Sequence, residues 1–224
     1  MPFSGIPPGA TRLLVELAHR QDKLWYAEHK REIDAAAHEP LRALMADAAP
    51  GLRKLYPRLE LTPKIFRLHR DVRFSHDKSP FKDHAAGVVM VGANQDPGSA
   101  VSALYLQLGI DEGGAAGLWS MQPEQLARYR KAVLHAQYGA RLTLLLRAAE
   151  ARGHRVISAA QLSRAPRGVD PAHPRIALLR RKGIALDFPA IPARVRHSKA
   201  LLAWCLERAG EAAPTVRWLL EHCA

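Results

Sequence analysis

Two runs of strand-forming residues, Val88 to Val91 and Ala103 to Ile110, are joined by a link rich in turn residues, Gly92 through Asp96-Pro97-Gly98-Ser99. Such a link suits a hairpin loop. Strand character begins earlier, near Leu61, and Ile65 to Arg70 alternates, which places Phe66 and Leu68 on one face and Arg67 and His69 on the other. Consecutive strands on short links favour antiparallel pairing, and the helical patterns lie before and after them. The expected class is α+β with an antiparallel central sheet.

Periodicity and chain breakers mark the flanking helices. Residues 11–20 predict a short helix with Thr11 as N-cap and Leu13, Leu14 and Leu17 on one face. A second helix starts at Asp22, an acceptable cap, and carries Trp25, His29, Ile33 and Ala37 at helical spacing. Pro40 cannot continue it unbent, so a kink or restart is expected there, with Leu41, Leu44, Met45 and Ala48 inward. Gly113 to Gly117 closes the strand region, and Pro123 opens a helix through Gln125, Leu126, Tyr129 and Val133. Tyr138 to Arg152 forms another, ended by Gly153. Further helices are expected near Pro174 to Arg181, His197 to Ala209 and Pro214 to His222. With no internal repeat or long linker, the 224 residues read as a single domain. Its parts are helical at 10–56, strand-rich at 60–112, and helical and basic at 120–224.

No apolar run approaches the roughly 20 residues that span a bilayer, so no membrane partner is expected. The N-terminus, Met1-Pro2-Phe3-Ser4-Gly5-Ile6, lacks the basic start and apolar stretch of a signal peptide. Cys205 and Cys223 make neither a disulfide framework nor a metal-ligand set, and a reducing cytoplasm is the simplest home. Thirty-three Lys and Arg against 21 Asp and Glu leave a formal charge of +12. That excess favours nucleic acid, phosphorylated metabolites or acidic protein surfaces as partners, although solubility alone also accounts for it.

The chemistry concentrates between Phe66 and His84. Phe66, Phe74 and Phe81 stand among Arg67, Arg70, Arg73, Lys78 and Lys82, interleaved with Asp71, Asp77 and Asp83. A solvated charge run has little use for three rings, so the rings are expected to enter the fold while the charges form a polar site. Phe66, Leu68 and Phe74 are the expected anchors, with Arg67 and Arg73 reaching a shared site. A guanidinium offers a planar fork that grips carboxylate or phosphate through two parallel hydrogen bonds. Ser79-Pro80 forces an extended or turning path, which puts Lys78 and Lys82 on a loop and returns His84 toward Arg73. Arg67, Arg70, Arg73, Lys78 and Lys82 are thus the candidate anion-binding residues. Asp71, Asp77 and His84 are the candidates for orienting those cations or transferring protons. The competing reading is an internal Arg–Asp network that positions the loop and binds nothing.

His69, Asp71, His76, Asp77 and His84 match no metal-ligand signature, and the flanking cations oppose a divalent ion, so neither metal nor cofactor is expected. The glycines at 113, 114 and 117 fit neither a P-loop nor a dinucleotide fingerprint. A second basic stretch, Arg164 to Lys199, includes Arg175, Arg180, Arg181, Lys182 and Arg196, with Leu178, Leu179, Ile184 and Leu186 interleaved. Most of its charges are expected on the outer face of packed elements. Trp25 and Tyr26 read as core anchors, and His173, in the turn Asp170-Pro171-Ala172-His173-Pro174, as a cap.

Phe66 to His84 resembles the hallmark of a widespread family catalogued as domain of unknown function 2461, F-R-[IL]-x-R-D-x-R-F-S-[KH]-D-K-[ST]-P-[YF]-K-x-H. Trp25-Tyr26 with Lys30, Gly117-Leu118-Trp119 before Pro123, Pro166-Arg167-Gly168 followed by His173-Pro174, and Lys182, where the family usually has a lysine opening its last strand, extend the resemblance over essentially the whole chain. Gln21 and Asp22 stand where the family usually carries asparagines, Leu24 replaces a usual glutamate, and His69 and His76 occupy positions more often Tyr and Lys. The resemblance implies a shared fold and shared site positions; it implies no reaction.

Three functional readings follow. The first is an anion-binding cleft, in an enzyme or a binding protein, for a phosphorylated or carboxylated small molecule. The second is a non-catalytic nucleic-acid or acidic-protein binding module that uses distributed charge. The third is a purely structural Arg–Asp network. A pocket holding Arg73 and His84 marks the first, a basic stripe without a pocket the second, and buried, fully paired Arg–Asp contacts the third. Oligomeric state is not legible.

Overall fold

The computed structural model describes residues 2–73, 77–93 and 96–224. Its N-terminal part runs through α1 (Gly9–Arg20), α2 (Lys23–Ile33), one π turn (Asp34–His38) and α3 (Glu39–Leu52). Asp22 caps α2, its carboxylate accepting from the backbone N–H groups of Leu24 and Trp25. The first helix starts behind Pro8, before Thr11, which is therefore not its cap. Of the kink or restart expected at Pro40, the structure shows a restart, after the π turn. Proline has no N–H to donate and its ring crowds the carbonyl one turn back. The wider turn puts Pro40 in the first turn of a fresh α-helical segment, where a missing donor is harmless. Leu41, Leu44, Met45 and Ala48 are buried.

Six strands follow: β1 (Leu61–Ile65), β2 (His84–Val91), β3 (Val101–Gly109), β4 (Gly113–Leu118), β5 (Arg155–Ile157) and β6 (Ile184–Asp187). They form one antiparallel sheet in the order β1-β2-β3-β4-β6-β5. The α+β class read from the sequence is the observed one. Strands β2 and β3 are the expected hairpin, paired from His84 with Gly109 to Val91 with Val101. Pro63 is tolerated because β1 is an edge strand. The register jumps between Val89 paired with Leu104 and Met90 paired with Ser102. This bulge lets Ala103 and Leu104 both join the core, after which Tyr105 and Gln107 share a face with Ser102.

Three expectations are corrected. Gly113 to Gly117 is a central strand, β4, and not a closing loop. Strand propensity reflects side-chain packing, and this strand has almost no side chains to signal it. Glycine is required at Gly117, where φ is +130° and a Cβ would lie 2.5 Å from the Ile184 carbonyl oxygen. Strand β5 stands in the part expected to be helical and basic, while β6 is the last strand that only the resemblance placed, after Lys182. The last third contributes α4 (Pro123–Leu134), α5 (Ala136–Glu150), α6 (Ile176–Leu179), α7 (Ala193–Arg196) and α8 (Ala200–His222). The two terminal helices expected on either side of Pro214 are the single α8. Residue 210, one turn before the proline, is a glycine, and buried Ala209, Ala212, Ala213, Val216 and Trp218 carry the helix across.

The helices α1, α3 and α8 pack on one face of the sheet. That face presents Val89, Leu104, Leu106, Leu108, Ala116, Leu118, Ile184 and Leu186, all in the main core. The alternate residues, among them His84, Ala86, Val88, Ser102, Tyr105, Gln107, Ala115, Ala185 and Asp187, line a cavity on the other face. Among the described residues no helix is long and apolar enough to cross a membrane.

Candidate functional site

The motif crosses from one face of the sheet to the other. Extension stops at Ile65, and residues 66–70 then run against 80–82 as a narrow antiparallel pair. The Arg70 N–H donates to the Pro80 carbonyl (2.9 Å), the Lys82 N–H to the Leu68 carbonyl (2.8 Å), and His69 bridges Phe81. Leu68 and Phe81 enter the main core, Phe81 against Tyr26 at 4.4 Å between ring centroids. Phe66 packs instead with Val88, Met90, Ala100 and Tyr105 on the opposite side. Phe66 and Leu68 therefore do not share a face, because the strand that would have kept their alternation ends one residue earlier. Phe74 and His76 lie outside the described residues.

The charges sort into two groups. Arg73 grips Asp71 through two hydrogen bonds, Nε to Oδ1 (2.9 Å) and Nη2 to Oδ2 (2.7 Å), on an exposed stretch. Those bonds hold the Asp71 carboxyl down at about 2. Arg70 pairs with Asp77, whose Oδ1 accepts from the Ser79 N–H at 2.9 Å. Lys78 donates to the Val72 carbonyl at 2.9 Å. Arg70, Arg73, Lys78, Asp71 and Asp77 thus organise their own loop. Arg67 lines a smaller cavity beside α2, and of the eight candidates only Lys82 and His84 line the large cleft. Arg73 is not part of its wall, so this cleft does not bring Arg73 and His84 together.

That cleft, about 860 Å³, occupies the face of the sheet left free by the helices. Its floor is small: Ala86, Ala100, Ser102, Gly113, Gly114, Ala115 and Ala185. Phe66, Tyr105, Ile110 and Trp119 provide large apolar walls, and Trp119 is 51% exposed. The polar groups converge from several elements. The half-buried Lys82 ammonium lies 5.1 Å from the centroid of the Phe66 ring. Burial, and then the positive charges of Arg67 and Arg70, lower the Lys82 pKa. Among the described residues no carboxylate pairs with it. His84 Nδ1 meets Asp83 Oδ1 at 2.7 Å. Burial opposes ionisation of Asp83, but the His84 contact, a backbone hydrogen bond and the charge of Arg70 together turn the net shift downward. The Tyr105 hydroxyl donates to Gln107 Oε1 (2.8 Å), and burial, then Asp83, pushes its pKa up to about 12. Arg155 pairs with Asp187 across β5 and β6 at 2.5 Å.

Sequence reasoning missed Tyr105, Gln107, Trp119, Arg155 and Asp187. The first two had a usable signal, since they stand two apart in a strand that was recognised. Arg155 had none, because its strand was not foreseen, and Asp187 stands in the last strand, which only the resemblance placed, after Lys182. In the second basic stretch, Arg175 donates to the Val133 carbonyl (2.8 Å), Arg180 to the Leu162 carbonyl (2.7 Å), and Arg196 pairs with Glu112. His173 Nδ1 accepts from the Arg175 N–H at 3.1 Å within the turn before α6, but the N-cap of that helix is Arg175 and no side chain caps it, so His173 is not the expected cap. Trp25 and Tyr26 are buried, as expected of core anchors. A further cleft of about 930 Å³, at the other end of the β2–β3 hairpin, is lined by Leu59, Val91, Val101, Pro123, Arg128 and Leu220 among others. It brings together fewer groups able to bind or transfer a proton. Cys205 and Cys223 are buried and unbridged, and burial pushes each thiol up to about 12. Among the described residues no cluster of three His, Cys, Asp or Glu side chains suits a metal.

An α+β fold with one free sheet face, approached by a Phe-Arg-rich edge segment, defines a class of architecture. Residues 10–218 match the family model described as conserved hypothetical protein (DUF2461), and the chain belongs to that family. No curated protein and no solved structure matches it.

Proposed function

We propose that the protein binds a small phosphorylated or carboxylated compound with a flat apolar body in the cleft on the uncovered sheet face. The observation that carries this reading is Lys82. A lysine half-withdrawn from water, beside an aromatic ring and two guanidinium groups, is an unfavourable cation until an anion joins it. The small floor leaves room for a flat body, and Phe66, Tyr105 and Trp119 supply apolar surface around it. A volume near 860 Å³ falls in the range of small-molecule sites, about 300–1,000 Å³. Where the bound compound reacts, His84 is the group positioned to exchange a proton with it, oriented by Asp83.

Thermal unfolding with phenyl phosphate, benzoate and inorganic phosphate tests this reading. A ligand at a hundred times its dissociation constant stabilises the folded state by about 2.7 kcal/mol. The aromatic anions should raise Tm in the wild type and in Arg73→Ala, and leave Lys82→Met unchanged. Stabilisation that survives Lys82→Met, or that disappears in Arg73→Ala, would move the site away from the cleft.

A further inference from the structure

A cation in the place of Lys82 has two ways to relieve its burial: an anion can join it, or it can release its proton. The second makes it a nucleophile. Among the described residues Lys82 is the only half-buried lysine, and the others, Lys23, Lys54, Lys64 and Lys182 among them, are exposed. Its nitrogen stands by the ring of Phe66, which lines the cleft and packs with Tyr105, another residue of the cleft wall. The nitrogen has no hydrogen-bond partner among the described residues, yet it is not one of the polar atoms sealed from solvent, so a molecule in the cleft can reach it. Burial, and then the charges of Arg67 and Arg70, lower its pKa. Desolvation in an apolar pocket and a neighbouring cation are the two devices that turn a lysine into an amine nucleophile near neutral pH.

We infer that Lys82 forms an imine with a carbonyl compound, and that the compound is an aromatic 2-oxo acid. The inference rests on the reading of the cleft as a small-molecule site and specifies the ligand's chemistry. Phe66, Tyr105 and Trp119 suit an aromatic ring. Arg155, the only arginine of the cleft wall, already pairs with Asp187, so the ligand's carboxylate belongs beside the Lys82 nitrogen. A carbonyl that meets the same nitrogen must then be adjacent to the carboxylate, which is the 2-oxo acid arrangement.

In the reaction the lone pair of the free amine attacks the carbonyl carbon and a C–N bond forms. The carbonyl oxygen takes up protons, its bond to carbon breaks, and it leaves as water. Ammonium and ketone thus give one protonated imine and one water, with the charge unchanged and no oxidant or reductant. His84, in the same cleft wall, receives the ammonium proton and returns it to the departing oxygen. The protonated imine is still a cation, and the adjacent carboxylate neutralises it.

Sodium cyanoborohydride reduces an imine to a stable amine, so it traps the adduct. The full chain is treated at pH 7 with phenylpyruvate and this reagent, and peptide mass spectrometry reads the labelling of each lysine. Lys82 should label at least about tenfold faster than exposed Lys23, Lys54, Lys64 or Lys182. That preference should shrink with phenylacetone, which lacks the carboxylate, and in Arg67→Ala, which removes a neighbouring charge at an exposed position. Phenyl phosphate should slow the labelling of Lys82. Labelling of Lys82 no faster than that of the exposed lysines, or an equal preference with phenylacetone, would overturn the inference; the cleft would still be an anion site if phenyl phosphate raised Tm in the wild type and not in Lys82→Met. Preferential labelling that phenyl phosphate does not slow would uphold the imine and count against the anion reading instead.

Discussion

The two faces of the sheet are built from alternate residues of the same strands, yet they carry side chains of very different size. Toward the helices point Val89, Leu104, Leu106, Leu108, Leu118, Ile184 and Leu186. Toward the cleft point Ala86, Ser102, Gly113, Ala115 and Ala185, with the large rings of Phe66, Tyr105 and Trp119 among them. A sheet face designed only for water carries polar and charged residues along its strands. A face meant for a broad protein partner is apolar and flat. Small residues ringed by aromatic walls and a few converging polar groups instead make a concavity of ligand size. The comparison teaches that stability and recognition are separated by the pleat itself, one residue apart along each strand.

Neighbouring residues should therefore behave differently. Leu106→Ala, on the helix side, should cost about 2–5 kcal/mol in urea unfolding, while Gln107→Ala next to it, which removes the acceptor of the Tyr105 hydroxyl, should cost about 1 kcal/mol. Similar losses for the two would erase the distinction between the faces. Enlarging side chains gives a second test. Ala116→Leu overpacks the core and should cost about 1–3 kcal/mol. Ala115→Leu should leave stability within about 1 kcal/mol of wild type while preventing phenyl phosphate from raising Tm. If Ala115→Leu leaves ligand stabilisation intact, the floor is not where the compound lies.

Lys82→Met should raise the stability of the unliganded protein by about 0.5–1 kcal/mol, because it removes a half-buried cation repelled by Arg67 and Arg70. A loss of stability would mean that the lysine already has a partner in the free protein. A smaller pH effect follows from the same residue. Its folded pKa lies below the ordinary value of 10.5, so between the two the unfolded chain holds a proton that the folded chain has released. Stability rises with pH across that window, and the penalty is fully present below it. The advantage of Lys82→Met over wild type should consequently shrink as pH is raised from 7 toward 10.5. An advantage that stays constant would contradict the assigned cause.

What the sequence made legible was local. The cap at Asp22, the inward Leu41, Leu44 and Met45, and the β2–β3 hairpin depend on neighbours in the chain, and these features stand as expected. Strands β5 and β6 depend on partners far away in sequence, whereas β4 pairs with its neighbour β3 but lacks side chains to signal it. A Gly-Gly-Ala-Ala-Gly strand has no side-chain pattern to betray it. The candidate site was half legible for the same reason. Lys82 and His84, singled out from the sequence, line the cleft, while most of the densest charges pair with one another. Arg73 pairs with Asp71 two residues away and Arg70 with Asp77 seven away, within reach of each other on one loop. Tyr105 and Gln107 carried a local signal, two apart in a recognised strand, but that their face meets Trp119 at a cleft is set by the pairing of the sheet.

Alanine-methyl NMR during titration with phenyl phosphate tests the central claim most directly, because both faces carry alanines. The account predicts that the methyl signals of Ala86, Ala115 and Ala185, on the cleft floor, shift progressively and saturably. Those of Ala85, Ala103 and Ala116, on the helix side, should hold still, and the shifts should vanish in Lys82→Met. Shifts confined to the helix-side alanines, or floor shifts that persist in Lys82→Met, would contradict the assignment of anion recognition to the uncovered face.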